Sequence, residues 1–254
     1  MRRLLPILIA LTTLVALYRL LRIVQSYEPG AEEGNSYREA GLGTIAVRLG
    51  RSRIAVRSGG ELLWSAVCDR VDLRRRPGGD ITDVDAADFS GLHEGVLYRA
   101  NRPEAMFSAR AGTYDRFARQ LRVEGDIQVR IPPNDHIRAE GLIWSQADDT
   151  VQFPKGADAL FGTDHIVAPI LFFSPRVRRV ECPQGAQGTV GGYPVQASAL
   201  FWDLGKGMVD MPGRVWGNRG AYDYSAEGVH LELKPKVVFR ANKGRLLFRI
   251  EGGV

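Results

Sequence analysis

Two stretches of the chain carry alanine, leucine, tryptophan, valine and proline at the same offsets of 0, +3, +5, +12 and +15. They are AEGLIWSQADDTVQFP from Ala139 and ASALFWDLGKGMVDMP from Ala197. An internal repeat limits architecture more than any local propensity, because each copy must bury its apolar side against its neighbours. Midway between the two lies a third copy, with Ala168, Leu171, Phe173, Val180, Cys182 and Pro183 at the matching offsets. One step back are Ala109, Tyr114, Leu121 and Val123; one step forward are Ala226, Val229, Leu231 and Val238. The period is 29 to 30 residues.

Within each copy the apolar residues come in pairs two apart. Leu142 and Trp144, Leu171 and Phe173, Leu200 and Trp202 occupy +3 and +5. Leu121 and Val123, Val151 and Phe153, Val180 and Cys182, Val209 and Met211 occupy +12 and +14. Alternation of period two belongs to strands, and turn-like segments such as Ser145–Asp149 and Asp203–Gly207 separate the pairs. No sustained helical period follows Gly43. The expectation is an all-β fold, an elongated repetitive β-jelly roll or folded-over sheet, each unit being two short strands and two turns. Before Ala109, Ile54–Val56, Leu62–Trp64 and Val71–Leu73 read as strands of degenerate copies that do not hold register.

Residues 1–26 differ from this pattern. Leu4 to Tyr18 carry no charge, and Arg19 and Arg22 interrupt a further apolar run to Val24. With the arginines snorkelling, the segment reaches the roughly 20 residues that span a bilayer. An uncleaved N-terminal transmembrane helix is expected; a cleaved signal peptide, for which the small-x-small site is poor, and a buried helix are the competing readings. Either of the first two exports residues 44–254 as the β domain, with 27–43 as a polar, Gly-rich linker. The net charge of +5 owes four positive charges to Arg2, Arg3, Arg19 and Arg22, so the remainder gives no warrant for a nucleic-acid surface.

Catalytic patterns are sparse. His93, His136, His165 and His230 sit in four different contexts, and His93-Glu94 lacks the second histidine of a zinc-protease helix. Asp135-His136 and Asp164-His165 read as exposed turn polarity, and Asp83-x-Asp85 and Asp148-Asp149 as solvated turns. The last two do not continue into a calcium loop. Cys182 takes the slot of Val123, Phe153 and Met211, a position for a small buried hydrophobe; a bridge to Cys68 stays open at this level. No catalytic residue, metal or cofactor is expected. The row Tyr114, Trp144, Phe173, Trp202 either fills a packed core or lines a groove for an apolar ligand. With the flanking Leu121, Val123, Leu142, Val151, Phe153, Leu171, Leu200, Val209 and Met211, it forms the candidate lipid-binding surface. The basic segment Lys236 to Ile250 is a candidate sheet edge, or a cap that blocks one.

The ordered pieces GLHEGVLYRANRPEAMFSARAGTYDRFARQLRVEGDIQVR, IRAEGLIWSQADDTVQFP and IVAPILFFSP resemble the OstA-like β-jelly-roll domain of lipopolysaccharide-transport proteins, through their alanine, tyrosine, L-x-V-E-G-D-I and A-E-G-L-x-W elements. The expected N-terminal anchor makes the chain similar to the LptC-like members of that family. The resemblance covers about a third of the chain well (Gly91 to Pro175) and most of the remainder loosely. The chain departs from the family in length, its repeats continuing through Ala226, which leaves room for a bridging protein of the same superfamily or a relative with another cargo. The resemblance implies a non-enzymatic, inner-membrane, single-pass protein with its bulk in the periplasm. It would pass lipopolysaccharide or a similar glycolipid from ABC transporter subunits to a periplasmic β-jelly-roll bridge protein by edge-strand pairing. Two other classes stand beside it: an exported structural or adhesive β-solenoid, and a polysaccharide-active enzyme, for which no repeat-registered carboxylate pair is visible.

Overall fold

In the computed structural model, residues 44–75, 84–219 and 222–248 are described. The expected anchor and linker, residues 1–43, lie outside them, as do Asp83 and the end of the basic C-terminal segment. The described residues form one antiparallel sheet of eighteen strands. Its first strands are β1 (Thr44–Leu49), β2 (Ser52–Ser58), β3 (Glu61–Arg75), β4 (Ala86–Arg99), β5 (Arg102–Asp115) and β6 (Gln120–Ile131). There follow β7 (Asp135–Ser145), β8 (Thr150–Phe153), β9 (Ala157–Phe161), β10 (Asp164–Ala168), β11 (Leu171–Ser174) and β12 (Arg179–Cys182). The last are β13 (Ala186–Val190), β14 (Tyr193–Ala197), β15 (Leu200–Asp203), β16 (Met208–Arg219), β17 (Tyr222–Glu232) and β18 (Val238–Phe248). A single 3₁₀ turn, Pro175–Val177, joins β11 to β12.

Pairing shows that the sheet is folded over. One half of β7 pairs with β9, from His136↔Leu160 to Ala139↔Ala157, while its other half pairs with β8, from Ile143↔Gln152 to Ser145↔Thr150. The same division recurs along the chain. β8, β11, β12 and β15 build a front wall with the neighbouring halves of the long strands; β9, β10, β13 and β14 build a back wall. The strands that continue from one wall into the other cross a crease. There the register slips, as between Glu124 and Ile127 and between Met211 and Arg214. Such bulges bend a strand and re-aim its side chains.

The crease explains both the repeat and its incomplete reading. Buried side chains alternate along each wall, but the phase changes across the bend: Ile137 is buried on one side, Leu142 and Trp144 on the other. One 29- to 30-residue unit is therefore two bent strands, four segments in all, and not the two short strands expected from the +3, +5, +12 and +14 pairs. Those pairs all fall on the front wall. The stretch before Ala109 is also regular in structure: β2, β3 and β4 pair in sequence and bury Trp64, Val71 and Phe89 in the same interior.

The alanine that opens each copy sits where the two walls converge. Ala109, Ala168, Ala197 and Ala226 are buried there, beside Ala157 and Ala186. A tapering space leaves room for a methyl group and little more, since interiors are close-packed. Away from the crease the front wall carries Trp144, Phe153, Phe173 and Trp202. At Gly185 in the crease (φ +100°), an added Cβ would stand 2.7 Å from the carbonyl oxygen of Ala197, so neither the conformation nor the space admits another residue.

Both thiols are free and buried. Cys68 lies on β3 and Cys182 on β12, with β4 to β7 and further strands between them. At about 4.8 Å per strand they are far beyond the roughly 7 Å limit for a disulfide. The bridge left open by the sequence is thereby ruled out for this fold.

Candidate functional site

Among the described residues the two walls are joined in backbone pairing through the strands that cross the crease, and side chains meet in the space between. Of the residues expected to line a lipid path, Leu121, Val123, Leu142, Trp144, Val151, Phe153, Leu171, Phe173, Leu200, Trp202, Val209 and Met211 are all buried in this interior. Tyr114 is half-buried and packs against it. The structure thus gathers the whole predicted row into one ribbon.

Sequence reasoning missed the facing wall. Ile127, Val129, Ile137, Ala159, Phe161 and Ile166 are buried opposite the predicted row. Their signal was present at +18, +20, +22 and +27, where Ala157, Ala159, Phe161 and Ile166 recur as Ala186, Gly188, Val190 and Val195 one copy later. Alanine and glycine in these slots hid a period that large residues make plain on the front wall.

Aromatic rings bridge the walls at three stations. Trp64 of the back wall meets Phe89 and Tyr114 of the front wall, each at 5.5 Å between centroids. Phe161 meets Trp202 at 5.5 Å and Phe173 at 6.4 Å. Near the C-terminal end Phe239 meets Tyr193 at 5.7 Å and Tyr224 at 5.8 Å. Edge-to-face geometry, with planes at 80° and 73° for Trp64–Phe89 and Phe161–Trp202, is the favoured arrangement for such pairs. The ribbon is closed: its side chains touch one another from wall to wall.

At the mouth, opposite the crease, polar contacts hold the walls together. Arg178, at the tip between β11 and β12, donates from Nη2 to Asp135 Oδ2 at 2.8 Å and from Nη1 to the Pro132 carbonyl at 3.4 Å. Asp135 and Pro132 belong to the back-wall tip between β6 and β7. Asp135 is only 6% exposed, and its Oδ1 accepts from the Gly162 backbone N–H at 3.0 Å. One copy further, Asp164 Oδ1 accepts from the Gly191 N–H at 2.9 Å. The two aspartates are thus tip fasteners that tie each back-wall hairpin to the next, and not the exposed turn polarity expected of them.

Burial holds the Asp164 carboxyl above its ordinary pKa, partly offset by the N–H groups of Gly191 and Gly192. A carboxyl whose folded pKa exceeds its unfolded one binds its proton more tightly when folded. Its contribution to stability is complete below the unfolded pKa, near 3.9, and is lost as pH rises to the folded value. Asp164→Asn keeps an acceptor for Gly191 and removes the titration. Urea midpoints measured across the acidic range should therefore shift in favour of the variant as pH rises through that window.

The remaining suspects for chemistry do not assemble. His93 Nε2 pairs with Asp69 at 3.2 Å, His165 Nε2 with Asp158 at 2.7 Å and His230 Nδ1 with Asp210 at 2.6 Å. These are separate cross-strand pairs on the outer surface. Burial pushes the Cys68 thiol up to about 11 and the Cys182 thiol to about 12, so both stay protonated at neutral pH. Among the described residues no group of three His, Cys, Asp or Glu side chains is placed to hold a metal ion. Asp148 stands in an exposed turn, accepting from Ser145 Oγ at 2.9 Å. A groove of about 910 Å³ runs along the back-wall side of the crease, lined by the polar Gln128, Arg138 and Gln187 together with the crease residues Ala157, Gly185 and Ala186.

Among the described residues, both ends of the sheet carry an edge with no further strand paired to it. β1 and β2 pair only with β3, and β18 only with β17, among the described residues. The exposed, basic β18, with Arg240, Lys243 and Arg245, is thus an edge strand as far as Phe248; charge on an edge discourages indiscriminate pairing. No protein-family model matches the chain, and a search of curated proteins finds no significant relative.

Proposed function

We propose that the protein is a membrane-tethered β-taco of the LptC-like, OstA-like kind that carries glycolipid acyl chains between its two walls. In this reading lipopolysaccharide or a similar glycolipid comes from inner-membrane ABC transporter subunits and leaves to a periplasmic bridge protein that pairs with an open sheet edge. The observation that carries it is the apolar ribbon, which runs from one open edge of the sheet to the other between walls whose mouth is held by side chains alone. Burial of acyl chains there is worth about 0.8 kcal/mol per methylene. The sugars stay in water outside the mouth. No catalytic group takes part, and the work comes from nucleotide hydrolysis in the partner. Because the ribbon is closed, loading requires the walls to part, with loss of the Arg178–Asp135 contact and of the cross-wall ring pairs.

The closed interior also favours a second reading, a structural solenoid whose core is simply packed. Purification of the full chain from native membranes separates the two. Co-purifying glycolipid and transporter subunits support the conduit. A lipid-free, soluble protein with a processed N-terminus contradicts it.

A further inference from the structure

Among the described residues, two polar atoms in the ribbon have no hydrogen-bond partner: the indole Nε1 groups of Trp64 and Trp202. Trp64 is fully buried and Trp202 is 2% exposed. Leaving a buried donor unsatisfied costs about 1–3 kcal/mol, and phenylalanine would fill much of the same space without that cost. Phe173 does so at the equivalent position one copy earlier. An edge-to-face contact with Phe89 or Phe161 offers at best a weak N–H···π interaction, which is second-order beside an oxygen acceptor.

An indole N–H is a donor only, so what satisfies it must be an acceptor. In an apolar ribbon that acceptor is uncharged, because a phosphate or carboxylate would lose its hydration with no cation to meet it. The hydrocarbon part of a lipid has no acceptor; the carbonyl of an ester or amide, or a chain hydroxyl, does. We propose that Trp64 and Trp202 donate to the carbonyl or hydroxyl oxygens of bound acyl chains, making the ribbon selective for ester-linked, amide-linked or hydroxylated chains over bare hydrocarbon. This rests on the conduit reading above. It adds that the site recognises the linkage as well as the chain. The donors stand on opposite walls, Trp64 on β3 and Trp202 on β15, so the ribbon has two stations where an acceptor is met. At each one the indole edge is freed when the walls part.

The test compares two probes on the full chain in detergent. Methyl tetradecanoate and tetradecane are each used to displace N-phenylnaphthylamine from wild type, Trp64→Phe and Trp202→Phe. Each substitution is expected to weaken the ester by about 2- to 10-fold, the loss of one net hydrogen bond, and to leave tetradecane within about twofold. Infrared spectra of the wild-type ester complex should show a carbonyl band lowered by hydrogen bonding, and this lowering should diminish in each variant. Thermal melting of the unliganded variants should show no loss of folding, since phenylalanine leaves no orphan donor behind. Equal loss for both probes, or none for either, overturns the donor assignment while leaving the conduit reading intact. Failure of both probes to displace the dye from wild type overturns the conduit reading itself, and the assignment with it.

Discussion

Replacing Gly188 with alanine should cost roughly 3–5 kcal/mol, a large part of the stability of a domain that has only about 5–15 kcal/mol in all. Gly188 lies in β13 at φ +153°, a conformation that L side chains rarely adopt. An added Cβ would also collide with the carbonyl of His165 in β10 and stand 2.9 Å from the Cα of Ile166. Those atoms are backbone, and Ile166↔Gly188 is itself a paired position, so relief requires the two strands to part. Gly162 supplies the control. Its φ is +63°, but an added Cβ would meet nothing within 4 Å. There alanine should cost only the left-handed conformation, about 1–2 kcal/mol. Urea unfolding of both variants separates conformational strain from steric exclusion; equal losses would show that close approach of β10 and β13 is not what glycine provides.

Phe161→Ala should be nearly as severe, at about 3–5 kcal/mol. Phe161 is the back-wall ring that reaches Phe173 and Trp202 on the front wall, and it is 4% exposed. Among the described residues no backbone hydrogen bond joins the walls at that depth, so the rings and aliphatic chains hold them together there. Truncation removes both the transfer free energy and the packing of two partners, and β-sheet neighbours cannot collapse inward without slipping register. The same change at the outer-face residue Leu160 should cost well under half as much, because its side chain is 37% exposed. A thermal melt that ranks the two positions alike would contradict an interior held by contact across the ribbon.

Much of this was legible in sequence because the front wall uses large residues. Trp144, Phe153, Trp202 and Met211 recur at fixed offsets, and period-two pairs identified strands and their buried side. The back wall was less legible for a physical reason. Where the walls converge only small side chains fit, so Ala157, Ala159 and Ala186 carry the interior face, and alanine gives no hydrophobic period to detect. The bend added a second obstacle, since the change of phase between Ile137 and Leu142 breaks one alternating run into two unrelated-looking pairs. Asp135 and Asp164 were misread because their role depends on partners 27 to 43 residues away, Gly162 and Arg178 for the first and Gly191 for the second. Nothing local distinguishes a fastener of that kind from a solvated turn. The removal of Cys182 from the list of reactive groups, by contrast, followed from its place in a buried row, and its burial agrees.

The arrangement of the mouth also bears on how the ribbon would load. Arg178 is about two-fifths exposed while Asp135 is almost wholly covered, so the ion pair sits at the boundary between solvent and interior. A partly exposed ion pair of this kind contributes little to stability and is weakened by salt. The ring contacts beneath it hold by packing and are not screened in that way. On the conduit reading proposed above, the walls would part from the tips inward, with the crease as the hinge line.

The most direct measurement is site-specific photo-crosslinking of the full chain in its native membranes. A photoreactive phenylalanine analogue placed at Trp144, Phe153, Trp202 or Met211 should yield glycolipid adducts, and the same group at the outer-face positions Gln187 or Gln196 should yield none. Folded protein that gives no adduct at any interior position, or equal adducts inside and out, would contradict a ribbon that carries lipid.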